Sequence, residues 1–421
     1  MGVSISDDII KRDLASISRG SIRIPLAIES ASGSVLKNYE GKTYTDLTAG
    51  WNVTNAGWNN PTIISAVKKQ FSKTAYCPNW CTNNERVELA EKLNGLLNDE
   101  YRTICCVTGS EAVEMALKVA RRATGRFHVT GFENSYHGCT LGAMLAGGFK
   151  SLHDKDVPNN FHAHLPLPDN KKITENYGAE IKHAIKTGPP PAAVLMETIF
   201  TNPGILYSAP PFYRELYNTV KRVGGLFIAD EVATGFGRAG KFFAFQNFDI
   251  QPDIIVLGKA ITSGVMPLAA VLIKKELHTY VKGMGFHSTY AFTPASCSAA
   301  IANINYMQDK MLVERSESLG EECRKYLGRH LHNCKYVFEV RGKGLSIGIE
   351  LVDSQKNVVE YGILNKMLFE LMDEGVFVER SAYTSTILIM PPLNIPRKLL
   401  LEALDKIISK ILNYNFDVTK A

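Results

Sequence analysis

Short runs of apolar residues alternate with amphipathic stretches along the middle of this chain. The runs are TICCVT, FHVTGF, AAVLMET, GLFIAD, DIIVLGK and PLAAVLI, and the stretches between them include SEAVEMALKVARRA and FYRELYNTVKRVG. Continuous apolar runs of this length are typical of strands buried on both faces, and helices between them favour a parallel sheet. The pattern therefore predicts an α/β fold with a mainly parallel sheet flanked by helices.

The two flanks of this region have different patterns. SVLKNYEGKTYTDLTAG alternates around Glu40-Gly41-Lys42, which predicts a hairpin, and helices are expected in PTIISAVKKQF and NERVELAEKLNGLL. After about residue 310 come helices, four alternating runs (YVFEVRG, LSIGIEL, FVERSAY, TILIMPP) and a closing helix from Arg397. We predict a large domain over 61–310, a smaller α+β domain over 311–421, and an N-terminal segment over 1–60 that packs with the small domain.

Composition excludes some classes of function. The chain has 421 residues, 45% hydrophobic and 21% charged, and its net charge of +5 is spread along the sequence. Because there is no basic block and no apolar run of membrane-spanning length, neither nucleic acid nor membrane is an expected partner. The eight cysteines form no disulfide framework and no metal-ligand pattern, and no secretory signal begins the chain. We expect a cytoplasmic protein without a metal site.

Ligands of open α/β sheets bind at the carboxyl ends of the strands, so the residues at these ends are the candidates for chemistry. TICCVT leads into Thr108-Gly109-Ser110-Glu111 at the start of a predicted helix. The backbone N–H groups and dipole of a helix N-terminus suit a phosphate, although the same residues also suit an ordinary helix cap. FHVTGF leads to Tyr136-His137-Gly138, where an aromatic ring can stack on a planar ligand or simply pack in the loop.

Two carboxylates and an amine follow the next runs. AAVLMET brings Glu197, GLFIAD ends on Asp230, and DIIVLGK ends on Lys259. A desolvated lysine has a lowered pKa and forms Schiff bases, and a fixed carboxylate keeps a pyridine nitrogen protonated. A structural salt bridge is the alternative interpretation of an Asp–Lys pair.

A second motif offers a competing interpretation. Gly235, Gly237 and Gly240 have the G-x-G-x-x-G spacing of dinucleotide sites, which would indicate an NAD(P)-dependent oxidoreductase. Gly235 lies five positions beyond Asp230, however, and the aromatic run KFFAFQNF that follows is a poor helix start. A dinucleotide site needs its first glycine directly after the strand, so Asp230 is the more informative residue.

These residues resemble the class III aminotransferases, fold type I enzymes that use pyridoxal 5'-phosphate. The blocks that carry the resemblance are TGSEAVEMALKVAR, YHG, IADEVATGFGRAGKFFAF, PDIIVLGKAITSGVMPLAAV, STYAFTP and VRGKGLSIGIEL, in the order of the family. The resemblance implies a homodimer at minimum, with dimers that can pair further, because the cofactor's phosphate site is shared between subunits.

The resemblance also implies roles for individual residues. Lys259 would bind the cofactor covalently and carry the proton, and Asp230 would pair with the ring nitrogen. The remaining cofactor contacts would come from Gly109, Ser110, Tyr136, His137, Glu197 and Val232, and from Thr289 of the partner subunit.

Three positions bear on the substrate. Ala233 stands where several family members carry Gln, Trp51 falls at a pocket-lining position, and Arg380 aligns loosely with an arginine that binds substrate carboxylate. The function that the resemblance implies is transfer of an amino group from an ω-amino acid or related amine, such as 4-aminobutyrate or β-alanine, to pyruvate or 2-oxoglutarate. An amino-acid racemase or epimerase on the same scaffold would use the same Lys259 and Asp230, so it remains an alternative.

Overall fold

The computed structural model describes residues 4–18, 24–149, 161–167, 183–185, 187–285 and 288–417. Its α-helices are α1 (Ile5–Ser16), α2 (Ala49–Asn52), α3 (Pro61–Phe71), α4 (Asn84–Gly95), α5 (Gly109–Thr124), α6 (Leu141–Ala146), α7 (Pro210–Arg222), α8 (Pro294–Asp309), α9 (Leu312–Leu331), α10 (Tyr361–Asp373) and α11 (Arg397–Asn413). Its strands are β1 (Ile28–Ser32), β2 (Val35–Asn38), β3 (Thr43–Asp46), β4 (Tyr101–Cys106), β5 (Val129–Phe132), β6 (His162–Leu165), β7 (Ala193–Met196), β8 (Leu226–Asp230), β9 (Ile254–Leu257), β10 (Ala269–Lys274), β11 (Val337–Lys343), β12 (Ser346–Leu351), β13 (Val376–Phe377), β14 (Glu379–Arg380) and β15 (Thr386–Ile389).

A seven-stranded sheet in the order β4-β10-β9-β8-β7-β5-β6 forms the centre of the molecule. The prediction of a mainly parallel sheet is confirmed: β6, β5, β7, β8 and β9 pair in parallel. The exception is PLAAVLI, which forms β10 and runs antiparallel to both β9 and β4. Only a short 3-10 turn lies between β9 and β10, and a parallel return needs a longer crossover connection.

The apolar runs are continuous because both faces of this sheet are covered. Along β8, Leu226 and Ile228 belong to one buried cluster of side chains, whereas Phe227 and Ala229 belong to the other. Helix α5 packs against β9 and β10 on one of these faces. With no face left to water, the polar alternation of a half-exposed strand is lost.

Two smaller sheets flank the central one. Residues around Glu40-Gly41-Lys42 form the predicted hairpin between β2 and β3, and β3 also pairs in parallel with β13 through Thr45 and Val376. The other sheet has the order β11-β12-β15-β14. The N-terminal segment thus shares a sheet with the C-terminal region; the domain boundaries at residues 60 and 310 stay predictions. In the part of the chain that the structure describes, no helix is long and apolar enough to cross a membrane.

Glycines allow three segments to meet backbone to backbone beside the central sheet. Gly344 has a φ of +54°, and a Cβ there would lie 2.5 Å from the carbonyl oxygen of Arg238. A Cβ at Gly320, on helix α9, would overlap the carbonyl oxygen of Gly344. Backbone atoms cannot turn aside as a side chain does, so these contacts require the absence of a Cβ.

We expect Gly320→Ala to lower the free energy of unfolding by about 1–3 kcal/mol, because the methyl group overpacks this contact. Gly328→Ala, in the same helix, is the matched control, since a Cβ there meets nothing within 4 Å. This control should stabilise the protein by roughly 0.4–1 kcal/mol, because alanine has less freedom in the unfolded chain. Urea unfolding measures both, and equal effects at the two positions would contradict the packing argument.

Candidate active site

Three neighbouring strands bring charged residues to one edge of the central sheet. Glu197 directly follows β7, Asp230 ends β8, and Lys259 lies two residues after β9. They meet at a cavity of about 180 Å³. Its lining consists of Trp51, Gly109, Ser110, Tyr136, His137, Gly138, Glu197, Thr201, Asn202, Asp230, Val232, Ala233 and Lys259.

Asp230 is buried and held from both of its oxygens. His137 Nδ1 lies 2.6 Å from Asp230 Oδ2, and the backbone N–H of Val232 donates to Oδ1 at 3.0 Å. His137 Nε2 is buried as well, and within the described residues it has no hydrogen-bond partner. The His137 ring therefore orients the Asp230 carboxylate, and Asp230 lines the cavity.

Lys259 combines an unusual backbone with a buried amine. Its φ of +42° is in the left-handed region, which costs roughly 1–2 kcal/mol for a residue with a Cβ. The turn that it begins is held by Asn303 of α8, whose Nδ2 donates to the carbonyl oxygens of Ala260 and Ile261 at 2.8 and 3.1 Å. Burial lowers the pKa of the Lys259 amine, while the nearby Glu197 and Asp230 carboxylates act in the opposite direction.

Glu197 is the second carboxylate of the cavity. Burial raises its pKa to about 7, and this effect outweighs the opposing field of His137. The backbone N–H groups of Tyr136 and Thr201 each donate to one of its oxygens at 3.3 Å. Glu197 thus changes protonation near neutral pH, beside the Lys259 amine.

The N-terminus of α5 forms one end of the cavity. Thr108 is its cap, since its side chain accepts from the N–H of Glu111 while Glu111 reaches back to the cap. The expected cap is therefore present, and Gly109 and Ser110 still line the cavity beyond it. Gly138 has a φ of +135°, and a Cβ there would overlap Ser110 Oγ. The first turn of α5 and the Ser110 hydroxyl therefore lie beside the cavity, and a helix N-terminus of this kind suits an anion.

Val232 and Tyr136 form two walls of the cavity. The Val232 methyl groups lie close to Gly109 and Gly258, where an added Cβ would be 3.2 and 3.3 Å from Cγ1. The ring of Tyr136 is steadied by Phe149, with ring centroids 6.3 Å apart in an edge arrangement. A flat ligand between these walls would have an aliphatic and an aromatic face beside it.

Trp51 reaches the cavity from a left-handed turn. Ala49, Gly50, Trp51 and Asn52 all have positive φ, between 49° and 67°. The N–H of Asn52 bonds to the carbonyl of Thr48, and that of Val53 to Ala49, so this is a true helical turn of the disfavoured hand. Only Gly50 adopts this conformation without cost, and the other three residues are strained by roughly 1–2 kcal/mol each.

The segment Gly235–Gly240 is a buried loop rather than a nucleotide site. The element directly after it is the 3-10 turn Ala244–Asn247, not an α-helix. Gly237 and Gly240 have φ values of +82° and +76°, and between them Arg238 is fully buried. The glycines allow the chain to turn beside the buried Arg238. The G-x-G-x-x-G spacing therefore no longer supports an NAD(P)-dependent enzyme.

Two of the predicted site residues lie outside the cavity. Thr289 is exposed on the surface of the single chain. Arg380 donates from Nε to Asn365 Oδ1 at 2.6 Å, and its guanidinium lies 4.1 Å from the centre of the Tyr361 ring. The structure brings the other predicted residues together and leaves these two apart from them in one chain.

Gly138, Thr201 and Asn202 also line the cavity and were not predicted as site residues. Thr201 and Asn202 lie in the loop that follows β7 and Glu197. Their position after a strand of the parallel sheet is the signal that could have predicted them. Asn202 is fixed from the C-terminal region, because its carbonyl accepts from Ser381 Oγ at 2.7 Å. Among the described residues, no three His, Cys, Asp or Glu side chains gather as a metal site.

The class-III aminotransferase family model matches residues 16–412. The chain belongs to the class III aminotransferases. Their fold is that of the fold type I enzymes, as expected, and the prediction of an enzyme that depends on pyridoxal phosphate is confirmed.

Several relatives of this class III aminotransferase match more than nine-tenths of its length. The acetylornithine aminotransferase of Methanosarcina acetivorans is 32% identical, with 93% of each chain covered. The 5-aminovalerate aminotransferase DavT of Pseudomonas aeruginosa is 31% identical, with 93% of this chain and 95% of the other covered. The taurine:2-oxoglutarate aminotransferase of Bifidobacterium kashiwanohense, solved with PLP and glutamate, has a TM-score of 0.90 and 25% identity over 98% of both chains.

The cavity has the groups that pyridoxal phosphate requires. The cofactor needs an amine for its aldehyde, an anion beside its pyridine nitrogen and donors for its phosphate. The lysine, the buried carboxylate held by His137 and the helix N-terminus supply these groups in one cavity. The buried His137 Nε2, which has no hydrogen-bond partner among the described residues, is a polar atom that a bound group could satisfy.

Proposed function

We propose that this aminotransferase takes its amino group from the terminal carbon of an ω-amino acid or related amine, such as 4-aminobutyrate or β-alanine. Pyruvate or 2-oxoglutarate would accept it. The observation that carries the proposal is the convergence of Lys259, Asp230 and the anion site on one narrow cavity. The names of two relatives support this donor class, because 5-aminovalerate and taurine both carry their amine at the end of an unbranched chain.

In this proposal the cofactor is held by residues of the cavity on every side. Lys259 would bind it covalently, and Asp230 would face its ring nitrogen with His137 behind the carboxylate. Tyr136 and Val232 would lie on the two faces of the ring, and Gly109 and Ser110 would bind its phosphate. When bound, the cofactor supplies an electron sink for the carbon that loses a proton.

Lys259 is the proposed acid and base. Its Nζ would take the proton from the amine-bearing carbon of the donor and deliver it to the cofactor within the same half-reaction, rather than back to that carbon. This needs a neutral amine, and burial lowers the pKa of Lys259 in that direction. Glu197, with its pKa raised to about 7, would hold a proton nearby and so limit the negative charge around the amine.

Trp51 is the proposed substrate contact of this chain, since this residue forms part of the cavity wall. The predicted role of Arg380 is harder to reconcile with the structure. Its guanidinium would have to leave Asn365 to reach a substrate carboxylate, so that role stays a prediction.

The donor class is tested by visible absorption of the holoenzyme with a single donor and no keto acid. We expect 5-aminopentanoate to bleach the visible band of the bound cofactor and 2-oxoglutarate or pyruvate to restore it, because the cofactor then carries the amino group. The isomer 2-aminopentanoate, of the same size, is the matched control and should bleach the band far more slowly. Bleaching by the control alone would contradict the donor class, and inversion of a chiral donor without net transfer would indicate a racemase instead.

We also propose that the enzyme is a homodimer in which Thr289 reaches the anion site of the partner subunit; dimers that pair further fit the same proposal. Thr289 precedes Tyr290, which is 67% exposed and whose ring lies 5.9 Å, between centroids, from that of the exposed Tyr76. Exposed aromatic side chains of this size are typical of protein interfaces.

The eight cysteines of the chain are all free. Free cysteines fit a reducing compartment, and a cytoplasmic location stays a prediction.

Subunit complementation tests the shared site. We expect Ser110→Ala and Thr289→Val homodimers each to bind pyridoxal phosphate roughly tenfold more weakly, through the loss of a hydrogen bond to a charged group. A heterodimer of the two, co-expressed with different tags, has one site with both changes and one with neither. Cofactor titration should therefore recover wild-type affinity at half of its sites. Uniformly weak binding in the purified heterodimer would contradict a site shared between subunits.

A further inference from the structure

The left-handed turn Ala49–Asn52 is held at both ends by buried polar groups that the proposed reaction does not use. Trp51 is the third residue of this turn and forms part of the cavity wall. A turn of the disfavoured hand persists only where its surroundings determine it, and such strain concentrates at functional sites. The groups that hold the turn are therefore candidates for a functional role.

Asp46 holds the entrance of the turn. Its Oδ1 accepts from both the N–H and the hydroxyl of Thr48, at 2.8 and 2.7 Å, and its Oδ2 accepts from Trp58 Nε1 at 2.7 Å. The Thr48 hydroxyl oxygen in turn accepts from the N–H of Gly50 at 3.0 Å. The Trp58 ring lies against the same glycine, where a Cβ would be 3.1 Å from Cζ2.

Arg238 holds the exit of the turn. Its Nη2 donates to Asn55 Oδ1 at 2.6 Å, and its Nη1 donates to the carbonyls of Leu345 and Pro391 at 2.9 and 2.6 Å. Asn55 Nδ2 donates to the carbonyl of Phe236 at 2.8 Å. Both polar atoms of the Asn55 side chain are therefore bonded to the loop Gly235–Gly240. This gives the Gly235–Gly240 motif a role that its resemblance to a nucleotide loop conceals.

The exit is also joined to the segment that carries Lys259. The backbone N–H of Ala56 donates to Ser263 Oγ at 3.0 Å. Ser263 caps the 3-10 turn that Lys259 begins. The wall residue and the lysine are thus positioned by one connected set of contacts.

We propose that Asp46 and Arg238 are positioning residues that fix the left-handed turn and thereby set the width of the cavity at Trp51. This rests on the proposed role of Trp51 as a substrate contact. The buried polar network at the two ends of the turn makes the enzyme select narrow, unbranched amines over wide ones. Loosening either end allows the indole to withdraw.

The test is Trp58→Phe, which keeps a ring against Gly50 and removes the donor to Asp46. We expect the ratio of kcat/KM for 5-aminopentanoate to kcat/KM for benzylamine to fall at least about fivefold, a change within the range of pocket fit. Tyr101→Phe is the matched control, because it removes a buried aromatic donor at the start of β4 that bonds to the carbonyl of Pro252, just before β9. It should lower stability and leave the ratio unchanged.

A double-mutant cycle separates positioning from a general loss of structure. Trp51→Ala should lower the ratio by itself, and Trp58→Phe should change it no further in that background. Thr48→Val, of similar volume, is a second variant for the same purpose should Trp58→Phe fail to fold. An unchanged ratio in both folded variants, or an equal fall in the presence and absence of Trp51, would overturn the proposal. Failure of the proposed donor class differs from this result, because the wild type would then not transfer the terminal amine at all.

Discussion

The burial of one amine beside two carboxylates is the constraint on which the site depends. Lys259, Asp230 and Glu197 lie at the ends of three adjacent parallel strands, so the sheet itself fixes their spacing. Taking these groups out of water is costly unless charges and hydrogen bonds compensate. Here His137 and three backbone N–H groups, of Tyr136, Thr201 and Val232, satisfy the carboxylates, and burial lowers the pKa of the amine.

Strain and close packing accompany this charge arrangement. Lys259 and the turn around Trp51 have left-handed backbones, and glycines at 138 and 258 let loops approach Ser110 and Val232. Each of these features weakens the fold locally, and the fully covered central sheet provides the stability that tolerates them. Arg238 donates a buried hydrogen bond to Asn55, just after the turn around Trp51, and Asn303 donates to the carbonyl oxygens of Ala260 and Ile261, just after Lys259.

The sequence predicted those features that depend on neighbouring residues along the chain. Apolar runs predicted the strands of the large sheet, and the residues at their ends predicted most of the cavity. The direction of β10 did not follow, because an apolar run reads the same in either direction and only the short connection after β9 decides it. Nor did the handedness of the turn at Trp51. The turn is flanked by the hydrogen bond between Asp46 and Trp58, and by the contact of Asn55 with Arg238 from a distant part of the chain. The position of Arg380 in the sequence suggested a contact with substrate. It did not reveal that the guanidinium donates a hydrogen bond to Asn365 in the folded chain.

Borohydride reduction of the holoenzyme, followed by mass mapping of its peptides, tests the central claim that Lys259 is the amine that binds the cofactor. We predict that the reduced cofactor is found on Lys259 and that Lys259→Ala abolishes the label while the protein stays folded. Lys343→Ala, which removes a half-buried lysine outside the cavity, should keep it. A label on another lysine, or one that persists in the Lys259→Ala enzyme, would contradict this account of the site.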